Sequence, residues 1–155
     1  MAKAGYTVAV GADVALAAAT AKSVLGVKSG AAFGLDLQKI SVTFDGVTST
    51  AEPVLVELCY STFATNGPGT NSTSETEVQV YGRVIADGTT AASNWTTEPT
   101  VLTVLDEFLI HPQTGLKEYI PLGFTPDCAV DHGFVIRCTA PAVVNCRAGL
   151  WWERA

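Results

Sequence analysis

The sequence predicts an all-β protein: an antiparallel two-sheet β-sandwich or jelly roll with an extended N-terminal arm. Three observations carry this expectation. At least seven short runs alternate apolar with polar residues, the period of a half-buried strand. Turn residues (Asp45-Gly46, Asn66-Gly67-Pro68-Gly69, Gln113-Thr114-Gly115) separate them at intervals, the spacing of a sandwich. Finally, residues 134–152 read as two arms that agree about which side is inward. Phe134, Ile136, Cys138, Cys146, Ala148, Leu150 and Trp152 form one apolar set, and Arg137, Thr139, Asn145, Arg147 and Trp151 lie on the other side. A hairpin about Ala142 keeps like faces together, opposing Ala140 to Val144, Cys138 to Cys146 and Ile136 to Ala148. A tight turn at Pro141-Ala142 would set Cys138 against Asn145 and mix the faces.

At 155 residues the chain makes one domain, able to bury roughly 70% of its unfolded surface. Residues 1–30 are read as an arm or edge strand and 31–155 as the sandwich. Only 15% of residues are charged, so Thr, Ser, Ala and Gly must make up much of the outside. The formal net charge of −6 and the scattering of nine basic residues argue against nucleic acid, which needs clustered Lys and Arg. No apolar run reaches the length of about eighteen residues that a membrane helix requires. Residues 14–27 faintly resemble a signal peptide, but Asp13 precedes them and Lys22 interrupts them, so they are read as part of the fold of a protein made in the cytoplasm.

Along the chain, residues 6–28 mix Ala-rich helix propensity over 15–19 with β-branched Thr20, Val24 and Val27. Extended chain is the reading and a short helix over 13–22 its competitor. Residues 40–44 alternate as a strand and end at Asp45-Gly46. In 54–61, Val54, Val56, Leu58 and Tyr60 share one face and Leu55, Glu57 and Cys59 the other. Residues 63–77 have no apolar period and form a long loop, either a functional element or a solvated connection. Residues 78–85 make a strand and 86–99 a second loop, in which Trp95 stands among threonines. Residues 101–110 are apolar on both faces, so a second cover is expected over this strand, from the arm or from another subunit. The chain turns after His111-Pro112 and returns over 117–122.

Catalytic chemistry is sparse. His111 and His132 sit singly in turn settings with no H-x-H pair, so neither is assigned a metal. Asp106 and Glu107 are adjacent on a strand and face opposite ways. A pairing of Glu57 with Glu107 would need the fold to assemble it, and rim charges or a satisfied buried carboxylate account for both more simply. Cys59, Cys128, Cys138 and Cys146 form no C-x-x-C, which removes zinc-ribbon and thioredoxin-like readings. Cys138 and Cys146 can oppose each other as a disulfide or as small core residues. Phosphate-binding and nucleophile-elbow motifs are missing. The expectation is therefore a non-enzyme without cofactor or metal. Its candidate partner contacts are Asn66, Pro68, Thr70 and Asn71 in the long loop, with Trp95 and Trp151, since exposed Trp is enriched at partner and sugar-stacking surfaces.

The segments LVELCYSTFATNGPGTNST, ASNWTTEPTVLTVLDEF, PLGFTPD and GFVIRCTAPAVVNCRAGLWWER resemble small proteins encoded in tailed bacteriophages and prophages. The resemblance runs over roughly residues 23–154. It implies a virion part: a jelly-roll capsid decoration (cement) protein, homotrimeric, made in the host cytoplasm and bound to the major capsid protein on the outside of the shell. A carbohydrate-binding module on a phage head or tail, stacking a glycan on Trp151 or Trp95, is the alternative. An enzyme on a jelly-roll scaffold is the third reading.

Overall fold

A computed structural model describes residues 3–155. Among them there is no helix. In chain order the strands are Gly5–Ala9 (β1), Val14–Leu16 (β2), Ala21–Lys28 (β3), Leu35–Phe44 (β4), Val54–Thr65 (β5), Thr73–Glu75 (β6), Val78–Tyr81 (β7), Thr90–Ser93 (β8), Thr100–Ile110 (β9), Leu116–Tyr119 (β10), Gly133–Thr139 (β11) and Val144–Arg154 (β12). They form two antiparallel sheets. One runs β10-β4-β12-β1-β7, with β2 also paired to β12. The other runs β6-β8-β3-β11-β5-β9. The protein is a β-sandwich, as the alternation predicts.

The core lies between the inward faces. Val8, Leu37, Ile40, Val42, Leu150 and Trp152 come from the first sheet, and Val24, Val56, Phe134, Ile136 and Cys138 from the second. Facing in strand 54–61 is as expected: Val54, Val56 and Leu58 join this core while Cys59 turns to the other side. There Cys59, Phe63, Ala92, Trp95 and Val135 make a separate satellite core on the outer face of the second sheet.

The last two strands correct the expected hairpin. β11 pairs with β3 and β5, while β12 pairs with β1, β2 and β4. Residues 140–143 therefore cross from one sheet to the other. Alternation fixes which side chains point inward, but two inward faces are matched equally well across a sandwich about 10 Å thick as side by side in one sheet. Both even-numbered sets are buried as predicted, and Cys138 and Cys146 do meet, across the core and as free thiols.

The N-terminal reading also changes. Among the described residues the N-terminal segment is built into the sheets rather than standing off as an arm: β1 lies between β12 and β7, and β3 between β8 and β11. Val24, Leu25 and Val27 are fully buried. The competing helix over 13–22 is replaced by β2, with Val14 and Leu16 buried on one side and Ala15 exposed on the other. Small residues in this stretch suit close inter-strand packing rather than a loose tail.

Among the described residues of this chain, nothing covers both faces of residues 101–110. β9 is an edge strand paired only with β5, and its register slips between Leu58 and Cys59 of β5. This bulge inverts the alternation. Beyond it Phe108 and Ile110 face the main core, and before it Leu102 joins the satellite core. Much of the two-sided apolar pattern records that inversion. The remainder is exposed, with Val101 at 58% and Leu109 at 71%.

Candidate functional site

The edges formed by β9 and β10 lie over one another, and the turn 111–115 joins them. Between them opens a cleft of about 450 Å³ whose apolar walls include Ile40, Leu58, Leu105, Phe108, Ile120 and Phe124, with Asp106 and Glu118 at its margin. The segment following β10 adds apolar side chains that none of the described residues covers: Leu122 is 83% and Phe124 81% exposed. The edge backbone itself is blunted. The Asp106 carboxylate accepts the Glu107 N–H at 2.9 Å, next to the bulge. Charge and bulge together disfavour strand addition along this edge.

A second surface lies on the outer face of the first sheet. Register places Tyr119 of β10 opposite Lys39 of β4, and Lys39 opposite Trp151 of β12. The Lys39 ammonium lies 4.8 Å from the Trp151 ring and 5.2 Å from that of Tyr119, and Lys117 stands 5.3 Å from Tyr119. The Lys117 hydrogen bond, with the charges of Lys117 and Lys39, lowers the Tyr119 phenol pKa below its ordinary value. Trp151 is half-buried, on the polar face where the sequence put it.

Trp95 is a correction. It is 1% exposed, stacked on Phe63 at 6.4 Å between ring centres, and its indole N–H donates to the Asn66 carbonyl at 2.8 Å. The polar passage around it folds back as its lid. Asn71 Nδ2 donates to Asn66 Oδ1 (2.8 Å), Asn66 Nδ2 to the Glu98 carbonyl (3.1 Å), and the Thr96 N–H to the Asn71 carbonyl (2.8 Å). Asn66 and Asn71 take left-handed conformations, φ 53° and 52°, which Asn tolerates better than other side chains. Asn66, Asn71 and Trp95 are thus brought together, with Thr70 and Asn71 exposed and Pro68 half-buried. Trp151 is on the opposite outer face, so the two tryptophans cannot form one platform. β6 and β8 arise within the passages read as loops. Their short Thr, Ser and Ala runs carry no large apolar side chain to mark a period.

The remaining candidates do not converge. His111 accepts the Gln113 N–H at Nδ1 (3.2 Å), with Nε2 near the Ser49 carbonyl. His132 bonds through Nδ1 to the Tyr60 hydroxyl. The two contacts fall near opposite ends of β5, roughly 20 Å apart at strand rise. Glu57 and Glu107 are indeed cross-strand neighbours. However, Glu57 is bound to Arg137, which lies opposite it on β11 with Nε 2.7 Å from Oε2. That ion pair supplies the compensation a buried carboxylate needs. Among the described residues no group of three or more His, Cys, Asp or Glu is placed to hold a metal.

No family model matches the chain, and neither a curated protein nor a solved structure matches it.

Proposed function

We propose that this chain is a structural virion protein, a capsid decoration or cement protein of a tailed phage. In this reading it binds the major capsid protein on the outside of the shell as a homotrimer. The observation that carries the reading is the uncovered apolar edge: the cleft between β9 and β10, lined by Leu105 and Phe124, with exposed Leu122 in the same segment as Phe124. Contiguous exposed apolar surface of this kind marks a partner site. A stable interface needs about 800 Å² from each partner, so the edge strand and the 120–126 segment must act together. The sequence resemblance to phage-encoded proteins directs the choice of partner. The rigid scaffold suits a part that clamps neighbours without turnover.

The test is sedimentation of the purified protein and its co-sedimentation with decoration-free phage heads. A trimer that binds heads, and that becomes monomeric in Leu105→Glu/Phe124→Glu with thermal stability retained, is the expected result. A strict monomer without affinity for heads would overturn the reading.

A further inference from the structure

We propose that the outer face of the first sheet is a binding site for an acidic glycan, its sugar ring stacking on Trp151 and Tyr119 and its carboxylates meeting Lys39 and Lys117. This goes beyond the virion reading and does not depend on it, because it uses the opposite side of β4 and β10 from the apolar cleft.

The first support is placement. Three adjacent strands put Tyr119, Lys39 and Trp151 in one cross-strand row, and Lys117 joins them from the same face of β10. A lysine whose stem merely covers an indole ring would account for Lys39. It would not account for a second ammonium converging on the neighbouring aromatic.

The second support is charge. The chain carries −6 overall, yet among the described residues Lys39 and Lys117 form no ion pair; Lys22, Arg83 and Arg154 form none either, and what sets the first two apart is that they converge on one aromatic row. Two of the acids carried by this sheet and its neighbouring turns are already engaged. Glu153 holds Lys3 at 3.0 Å and accepts the Tyr81 hydroxyl, and Asp13 holds Arg147. Glu118, between the two β10 residues of the shelf, turns to the cleft on the other side. Two cations are left free to meet an incoming anion.

The third is shape. Beside Trp151, β12 presents Gly149, where a Cβ would come within 2.9 Å of Ser41 Oγ, and β1 presents Thr7 opposite Trp151. The floor next to the indole is therefore neutral and hydroxyl-bearing, filled by the Ser41 side chain over Gly149 and by Thr7, whose hydroxyl donates to the Leu150 carbonyl at 3.0 Å. An aromatic shelf with flanking hydroxyls and ammonium groups suits a saccharide with carboxylates: the apolar ring face stacks, and the anion pairs with lysine. A polynucleotide is a poor fit, because two lysines neutralise few phosphates and the net charge repels the rest.

The experiment is isothermal titration of the intact protein with a hexamer of mannuronate, with maltohexaose and a short single-stranded DNA as comparisons. Saturable binding of the uronate is expected, weakening as salt rises from about 0.05 to about 0.5 M. Trp151→Ala should weaken it by about tenfold or more, and Lys39→Gln/Lys117→Gln by a similar factor, with Trp151→Phe retaining part. Because Trp151 and Lys39 are half-buried, exposed Lys117, replaced alone by Gln, guards against a folding artefact. No uronate binding would overturn the proposal. So would equal affinity for maltohexaose or DNA, or affinity unchanged in both the Trp151→Ala and the lysine variants. Oligomeric state and head binding should be unaffected by these substitutions, so failure here is separable from failure of the virion reading.

Discussion

Trp95→Ala tests whether the polar loop is a folded lid or a surface contact. The side chain is 1% exposed, and burying a tryptophan removes about 200 Å² from water. At about 25 cal/mol per Å² that is about 5 kcal/mol, which falls to roughly 3–4 kcal/mol once compactness of the unfolded chain is allowed for. Truncation also leaves the Asn66 carbonyl without the indole N–H, a further loss of about 1 kcal/mol. The expected destabilisation is therefore about 4–5 kcal/mol, within the range of aromatic truncations in cores. For a domain of 155 residues this lowers Tm by roughly 10–18 °C. Trp95→Phe keeps a ring against Phe63 and loses the hydrogen bond, so it should cost about 1–2 kcal/mol. Urea unfolding with m unchanged, together with protease cleavage within 63–77, measures both. If Trp95→Ala costs less than about 1 kcal/mol and leaves the loop resistant, the lid does not depend on this side chain and the satellite core is wrongly assigned.

Further outcomes are expected from the buried ionisable groups. Burial pushes the Cys59 thiol up from 9.0 to about 11; the unfolded chain then loses that proton first as pH rises. Stability from this group is full below pH 9 and declines as pH climbs through 11, by up to about 3 kcal/mol. Cys59→Ala should flatten the alkaline limb of a stability–pH curve, and parallel curves would refute the assignment. Glu57→Gln removes the partner of a guanidinium whose side chain is 23% exposed. A loss of about 2 kcal/mol is expected, between surface and buried pairs, and a double-mutant cycle with Arg137→Met should recover part of it; strict additivity would show no coupling. All four thiols are buried and free, so Ellman's reagent should react with none in the native protein and with four per chain in denaturant. Rapid native reaction would place a thiol at the surface.

What was legible in the sequence is the direction each side chain faces, because the period of two is imposed by the pleat alone. Phe134, Ile136, Cys138, Cys146, Ala148, Leu150 and Trp152 are all buried as their alternation predicts. Partner choice was not legible, since it is decided by tertiary packing. The same parity that would have paired 138 with 146 in a hairpin brings them together across the core. Strand β9 shows a related failure. A pattern apolar on both sides normally signals two covers, but one extra residue at a bulge swaps the faces and produces the same string of letters. Trp95 was missed as a core residue because its cover is made of asparagines and backbone carbonyls. Polar composition does signal a loop, but it says nothing about which side chain the loop is folded around. The lysines of the aromatic shelf are far apart in sequence, at 39 and 117, and only register brings them to one ring.

Strand β10 separates the two candidate surfaces by a single-residue period, which makes a decisive scan possible. Lys117 and Tyr119 face the shelf, while Glu118 and Ile120 line the cleft. The Ile120 N–H, donating to the Gln38 carbonyl at 2.9 Å, continues the pairing one residue past the strand. Serine at each of the four positions in turn should split the phenotypes by parity. Substitutions at 117 and 119 should weaken uronate binding and leave the oligomer intact. At 120 the loss of apolar surface should weaken self-association, by about 1–2 kcal/mol for one side chain, and leave uronate binding intact; 118 should change association through charge alone and so respond to salt. Sedimentation and titration on the same four proteins measure this. If phenotypes followed position along the strand, or if all four variants lost both properties together, β10 would be acting as a folding element and neither surface could be assigned to it.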